Sequence, residues 1–163
     1  MSDAKFSKTV LLVDVHNWYI TGMKKFPEQV VNYSEICGYG FGQKIAFGRQ
    51  SEDKVATFAK LLRNLRFDVR FGGSPYNIEM ALEAAQLIER GAVERLVIGS
   101  SYFETIHIHE YAHRRGIETA VMGFSIPEAF SRFSDVIELD ETVMMEAAND
   151  VPSERPFGVV TAA

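Results

Sequence analysis

A chain of 163 residues, 47% hydrophobic and 12% aromatic, holds enough apolar material for one packed domain, which excludes a disordered protein and leaves little room for a second domain. Its net charge of −5 argues against broad, charge-driven binding of nucleic acid. Cys37 is the single cysteine, so no internal disulfide forms. No run reaches membrane-span length and no signal-peptide apolar core follows Met1, so a soluble cytoplasmic protein is expected.

Strand and helix patterns alternate, the mark of a parallel sheet covered by helices. Thr9 to Val13 is a continuous β-branched and leucine run, as in a central strand buried on both faces. A helix is expected from Asn17, carrying Trp18, Tyr19 and Met23, and residues 26–42, with Gly38, Gly40 and Gly42, read as an irregular loop. Lys44 to Phe47 reads as a second strand. Ser51 then caps a helix with Glu52 and Asp53 in its first turn and Val55, Phe58, Ala59, Leu62 and Leu65 at helical spacing. Phe67 to Phe71 alternates as a third strand, broken by Gly72-Gly73-Ser74-Pro75. The helix from Asn77 to Arg90 is apolar nearly all round, so burial is expected, and Gly91 ends it. Arg95 to Gly99 is a fourth strand, Phe103 to Arg115 a helix closed by Gly116, and Thr119 to Gly123 a fifth strand. Ser134 to Leu139 adds a short last strand. The expected architecture is α/β, a three-layer α/β/α domain over residues 6–140 with a mostly parallel sheet of five or six strands. Residues 141–163 form a tail, either a docking arm or disordered.

In such a sheet ligands bind beyond the carboxyl ends of the strands. There the sequence places Asp14, His16 and Asn17 after the first strand, and Ser100, Ser101, Tyr102 and Glu104 after the fourth. Asp14, directly after buried apolar residues, has two readings: a cap on the next helix, or a carboxylate for a hard cation such as Mg²⁺. His16 reads as a phosphate contact or a turn residue. Ser100 and Ser101 offer backbone donors to an anion, and Tyr102, Trp18, Tyr19, Tyr39 and Phe41 could stack bases or pack in the core.

The run Leu12-Val13-Asp14-Val15-His16-Asn17-Trp18-Tyr19 resembles the opening Asp-x-x-Asn signature of NYN domains, the LabA-like branch of the PIN-like nucleases. The likeness continues through the glycine-rich break and the helix from Asn77. It returns at Val97-Ile98-Gly99-Ser100-Ser101-Tyr102-Phe103-Glu104-Thr105, placed like the family's Val-Ile-Gly-Ser-Gly-Asp-Ser-Asp-Phe, and at Val121-Met122-Gly123-Phe124 and Ser134 to Leu139. The resemblance implies a carboxylate cluster around Mg²⁺ or Mn²⁺ that activates water against RNA. Asp14 and Asn17 match the first family pair, and Asp135 matches a late aspartate. Glu104 replaces an aspartate with a longer arm, Asn77 stands at an aspartate position, Ser74 at a lysine, and Tyr102 at another aspartate. Glu83 is a further acidic helix position. An amide adds no charge and a phenol stays protonated at neutral pH, so metal affinity is expected to fall steeply.

His109-Glu110-Tyr111-Ala112-His113 spells the zinc-peptidase HExxH pattern, with Glu138 as the available third ligand. Its setting inside a parallel α/β alternation points instead to surface histidines on a flanking helix. Lys60, Arg63, Arg66 and Arg70, and the pair Arg114-Arg115, form either phosphate contacts or solvated faces. No glycine-rich nucleotide motif occurs, so no nucleotide cofactor is expected. The leading expectation is a degenerate NYN domain acting in RNA binding or regulation. The alternatives are a ribonuclease with Asp14, Glu104 and Asp135 on Mg²⁺ or Mn²⁺, helped by Asn17, Asn77 and Glu83, and a module that pairs with a protein partner or with itself.

Overall fold

The structure, a computed structural model, describes residues 8–20, 41–48, 53–72 and 76–139, with the side chains of 18–20, 53–58, 76 and 77 outside that description. Expectations resting on Trp18, Tyr19, Met23, Tyr39, Ser51, Ser74, the side chain of Asn77 and the tail fall outside the described residues.

Strand β1 (Thr9–Asp14) is buried along its whole length. Its side chains alternate between two cores. Leu11 and Val13 join Ala46, Leu62, Phe67 and Val97 on one face, while Val10 and Leu12 join Phe47, Met80, Leu87 and Ile98 on the other. A strand covered on both faces has no position for a solvated residue, which is why the run is unbroken by polar side chains.

Around it stand β2 (Gln43–Gly48), β3 (Asp68–Phe71), β4 (Arg95–Gly99), β5 (Glu118–Gly123) and β6 (Asp135–Glu138). They form a six-stranded sheet in the order β3-β2-β1-β4-β5-β6, every pair parallel. The helices are α1 (Val15–Ile20), α2 (Asp53–Asn64), α3 (Tyr76–Glu89) and α4 (Ile106–Arg114), with 3₁₀ turns at Phe103–Thr105 and Glu128–Arg132. Val15 and Leu62 carry α1 and α2 onto one face, and Met80, Ala84, Ile108 and Ala112 carry α3 and α4 onto the other. The domain is a three-layer α/β/α fold. The helix expected to start at Phe103 opens as a 3₁₀ turn, because Tyr102 is extended and its carbonyl takes both the backbone N–H (3.1 Å) and the hydroxyl (2.7 Å) of Thr105.

Three helices end the same way. Ala92 N–H reaches back to Leu87 O (2.9 Å), Ile117 N–H to Ala112 O (3.0 Å) and Phe67 N–H to Leu62 O (3.0 Å). The preceding residue is left-handed in each: Gly91 at φ 65°, Gly116 at φ 73° and Arg66 at φ 68°. Glycine takes that conformation without steric cost; arginine does not.

One expectation needs correction. Helix α3 is not buried all round: Ile78 and Leu82 are 52% and 59% exposed. Met80, Ala84, Leu87 and Ile88 seat it on the sheet, and no described element covers its outer side.

Candidate functional site at the switch point of the sheet

The strand order reverses between β1 and β4, and their carboxyl ends open the crevice where parallel α/β sheets bind ligands. Asp14 closes β1 at this point. Its neighbours follow from the register. Asp14 pairs with Phe47, Phe47 with Arg70, and Val13 with Gly99, so Ser100 falls beside Asp14 one position on. Farther along the edge, Gly123 pairs with Glu138.

Asp14 is fully buried, and its two oxygens differ. Oδ1 accepts the backbone N–H of Asn17 at 3.0 Å, capping the first turn of α1. Oδ2 is buried with no hydrogen-bond partner. Burial pushes the carboxyl up to about 7, against the backbone N–H groups of Asn17 and His16 and the Ser100 hydroxyl, which favour the anion, while the Glu104 carboxylate adds a further upward push. A carboxylate ringed by enough donors or cations would be held low. The capping reading of Asp14 is thus seen at Oδ1, while Oδ2 carries no partner.

The two lips of the crevice are tied together. Asn17 Nδ2 donates to Ser101 Oγ (3.0 Å), and the Ser101 backbone N–H donates to Asn17 Oδ1 (3.1 Å), which fixes the amide orientation because a backbone N–H can only donate. His16 Nδ1 lies 3.1 Å from the Tyr102 hydroxyl, and the two rings stack at 6.4 Å. Ser100, itself buried, accepts the Tyr102 backbone N–H on its hydroxyl at 3.2 Å. Asp14, His16, Asn17, Ser100, Ser101 and Tyr102 therefore stand together, with exposed Glu104 close enough to act on Asp14.

Two expected partners are elsewhere, and a third lies outside the described side chains. Asp135 opens β6 and pairs with Ala120, which pairs with Val97, which pairs with Leu11. That puts it roughly 10 Å back along the strands and about 14 Å across them from Asp14. The β6 residue that reaches the carboxyl edge is Glu138, and its carboxylate accepts the backbone N–H groups of Ser125 and Ile126. Glu83 is bound to the Arg70 guanidinium at 2.9 Å, which Asp68 also holds. Asn77 cannot be placed, its side chain lying outside the described residues. Among the described residues no three His, Cys, Asp or Glu side chains gather to hold a metal. Asn17 spends its amide on Ser101, and Tyr102 pairs with His16. Among the described carboxylates of the expected set, Asp14 and Glu104 stand at this edge, and Asp135 and Glu83 do not join them.

In the HExxH segment the candidate ligands are engaged separately. Glu110 turns outward to Arg114 and His107, Glu138 is spent on backbone N–H groups, and His113 packs edge-on to Phe133. His109, expected on the surface, is fully buried. Its Nδ1 meets Ser134 Oγ at 2.5 Å, Ser134 Oγ meets Thr119 Oγ1, and Thr119 donates to Phe133 O at 3.0 Å. Counting protons sets the direction. Thr119 spends its hydrogen on Phe133, so Ser134 must donate to Thr119, and His109 must donate from Nδ1. Only the acceptor Nε2 is then left unpaired. Burial lowers His109 to about 4, keeping the ring neutral. Ser134 accepts from the imidazole, the reverse of what an activated nucleophile needs.

No family model matches the chain, and no curated protein matches it. Among solved structures, the crystal structure of a protein of unknown function from Vibrio parahaemolyticus is similar over 83% of this chain and 95% of its own, with a TM-score of 0.65 and 16% sequence identity. The likeness is one of fold.

Arg70 is the residue of this edge that the sequence reading grouped elsewhere, with the helix cations. Its place at the penultimate position of a short strand was the available signal, since strand ends line the crevice.

Proposed function

We propose that the chain is a degenerate NYN-type domain that binds single-stranded RNA at the β1–β4 crevice in a binding or regulatory role, with little or no hydrolysis. The observation that carries this is the division of Asp14: one oxygen caps α1, and the other is buried beside hydroxyl and amide groups instead of further carboxylates. His16 and Tyr102 supply flat rings and hydrogen-bonding edges at the crevice, groups that suit an unpaired base. Nothing in this recognition requires a divalent cation. The cytoplasmic location expected for such a protein belongs to the same reading; no helix among the described residues is long and apolar enough to cross a membrane.

A second reading, a weak Mg²⁺- or Mn²⁺-dependent ribonuclease, is favoured by one feature, the unpartnered Asp14 Oδ2 with Glu104 nearby. One experiment separates the two. Single-stranded RNA is incubated with the protein in chelator and in Mn²⁺, and both mobility and cleavage are followed. Binding in chelator, weakened about tenfold or more by Tyr102→Ala, with intact RNA in Mn²⁺, supports the binding domain. Cleavage in Mn²⁺ that Asp14→Asn abolishes supports the nuclease. Absence of any shift at low salt removes RNA from both.

A further inference from the structure

Outside the crevice, the surface carries an apolar groove of roughly 410 Å³ between α3 and α4. Ile78, Ala81, Leu82 and Ala85 of α3 line it on one side, and Ile108 and Tyr111 of α4 on the other. Ile78 and Leu82 lie one helical turn apart and more than half exposed, so they form an apolar ridge directly beside an apolar hollow.

A ridge next to a groove on one surface is self-complementary under a two-fold rotation, because each copy then offers its ridge to the other's groove. The charges at the two ends agree with that operation. Both helices follow parallel strands, so both start at the carboxyl edge of the sheet and end at the opposite edge. Glu104 lines the groove at the starting end. At the finishing end Arg115 is paired with Glu89 and Arg114 with Glu110, which leaves the exposed Arg90 as the uncompensated charge among the described residues there. An antiparallel two-fold pairing sets the acidic end of each copy against the basic end of the other.

We propose that the α3–α4 face is an isologous self-association surface, occupied by a second copy of this chain. Leu82 is its central anchor and Glu104 its polar end. This does not rest on the RNA reading. It does connect to the crevice, since Glu104 belongs both to the groove and to the surroundings of Asp14.

The test is sedimentation equilibrium of the full chain over a dilution series, with the Leu82→Glu, Leu82→Gln and Glu104→Lys variants alongside. The expected result is a dimer that dissociates on dilution. Leu82→Glu should give a monomer at every concentration, Leu82→Gln should raise the dissociation constant roughly tenfold or more, and Glu104→Lys should raise it by less. Because Leu82 is largely exposed, the variants should keep the wild-type circular dichroism and thermal midpoint. A wild-type protein that stays monomeric throughout, or a dimer indifferent to both Leu82 substitutions, overturns the proposal.

Discussion

Asp14 shows how one side chain can serve the fold and oppose it. Capping α1 through Oδ1 is favourable, but burying Oδ2 without a partner raises the cost of the charged form. The sign follows from linkage. The folded-state value, about 7, lies above the ordinary carboxyl value of 3.8, so the folded protein holds the proton more tightly. Asp14's contribution is fully present below pH 3.8 and is lost as the pH rises through 7, with a ceiling of roughly 4 kcal/mol. Asp14→Asn keeps a carbonyl for the Asn17 N–H and cannot ionise. Urea unfolding should find the variant more stable than wild type by about 1–3 kcal/mol at pH 8, and the gap should close towards pH 4. A variant less stable at pH 8 would mean that the anion has a partner after all.

At the scale of elements, the three helix ends allow a comparison within one molecule. Gly91 and Gly116 close α3 and α4 in the left-handed conformation, whereas Arg66 closes α2 in the same conformation with a β-carbon. Arg66→Gly should therefore raise stability by about 0.5–1 kcal/mol, the steric relief less the larger entropy glycine loses on folding. A differential scanning midpoint that falls instead would show that the arginine side chain contributes more than its backbone costs. The His109–Ser134–Thr119 chain joins α4 to the junction between β5 and β6. Ser134→Ala removes the acceptor of a buried Nδ1–H and should destabilise by about 1–3 kcal/mol in chemical denaturation. His109 also shapes the acid limb. Its folded value of about 4 lies below 6.5, so its stabilisation is present above pH 6.5 and declines as the pH falls towards 4, opposite in sign to Asp14.

For the whole molecule, charge limits how RNA could be held. The net charge is −5, Arg70 is bound to Asp68 and Glu83, Arg115 to Glu89, and Arg114 lies 4.0 Å from Glu110. At the crevice edge Arg70 is already held by two carboxylates, so counterion release from phosphates there is expected to be small. The RNA affinity measured in the mobility experiment should accordingly fall with a log–log salt slope no steeper than about −2. A slope of about −5 or beyond would indicate a phosphate-tracking surface and move the contact away from the crevice.

What local sequence determined is the set of elements and the identity of the central strand. Burial on two faces demands an unbroken apolar run, helix ends demand a left-handed residue, and both demands are met by neighbours in the chain. Asp14, Asn17, Ser100, Ser101 and Tyr102 were legible as one site for the same reason, each lying just past a strand that its own residues define. Tertiary structure decided the rest. Whether Asp135 or Glu138 reaches the row of Asp14 depends on the register of β6 against β5 and, through β4, against β1. Arg70 captures Glu83 because α3 packs back onto the sheet beside it, and His109 is internal because Phe130 and Ser134 fold over α4. Helix α3 has the composition of a buried helix, yet its outer ridge meets solvent. A pattern of apolar residues shows that a face seeks cover; whether cover arrives is set by what the rest of the chain places beside it.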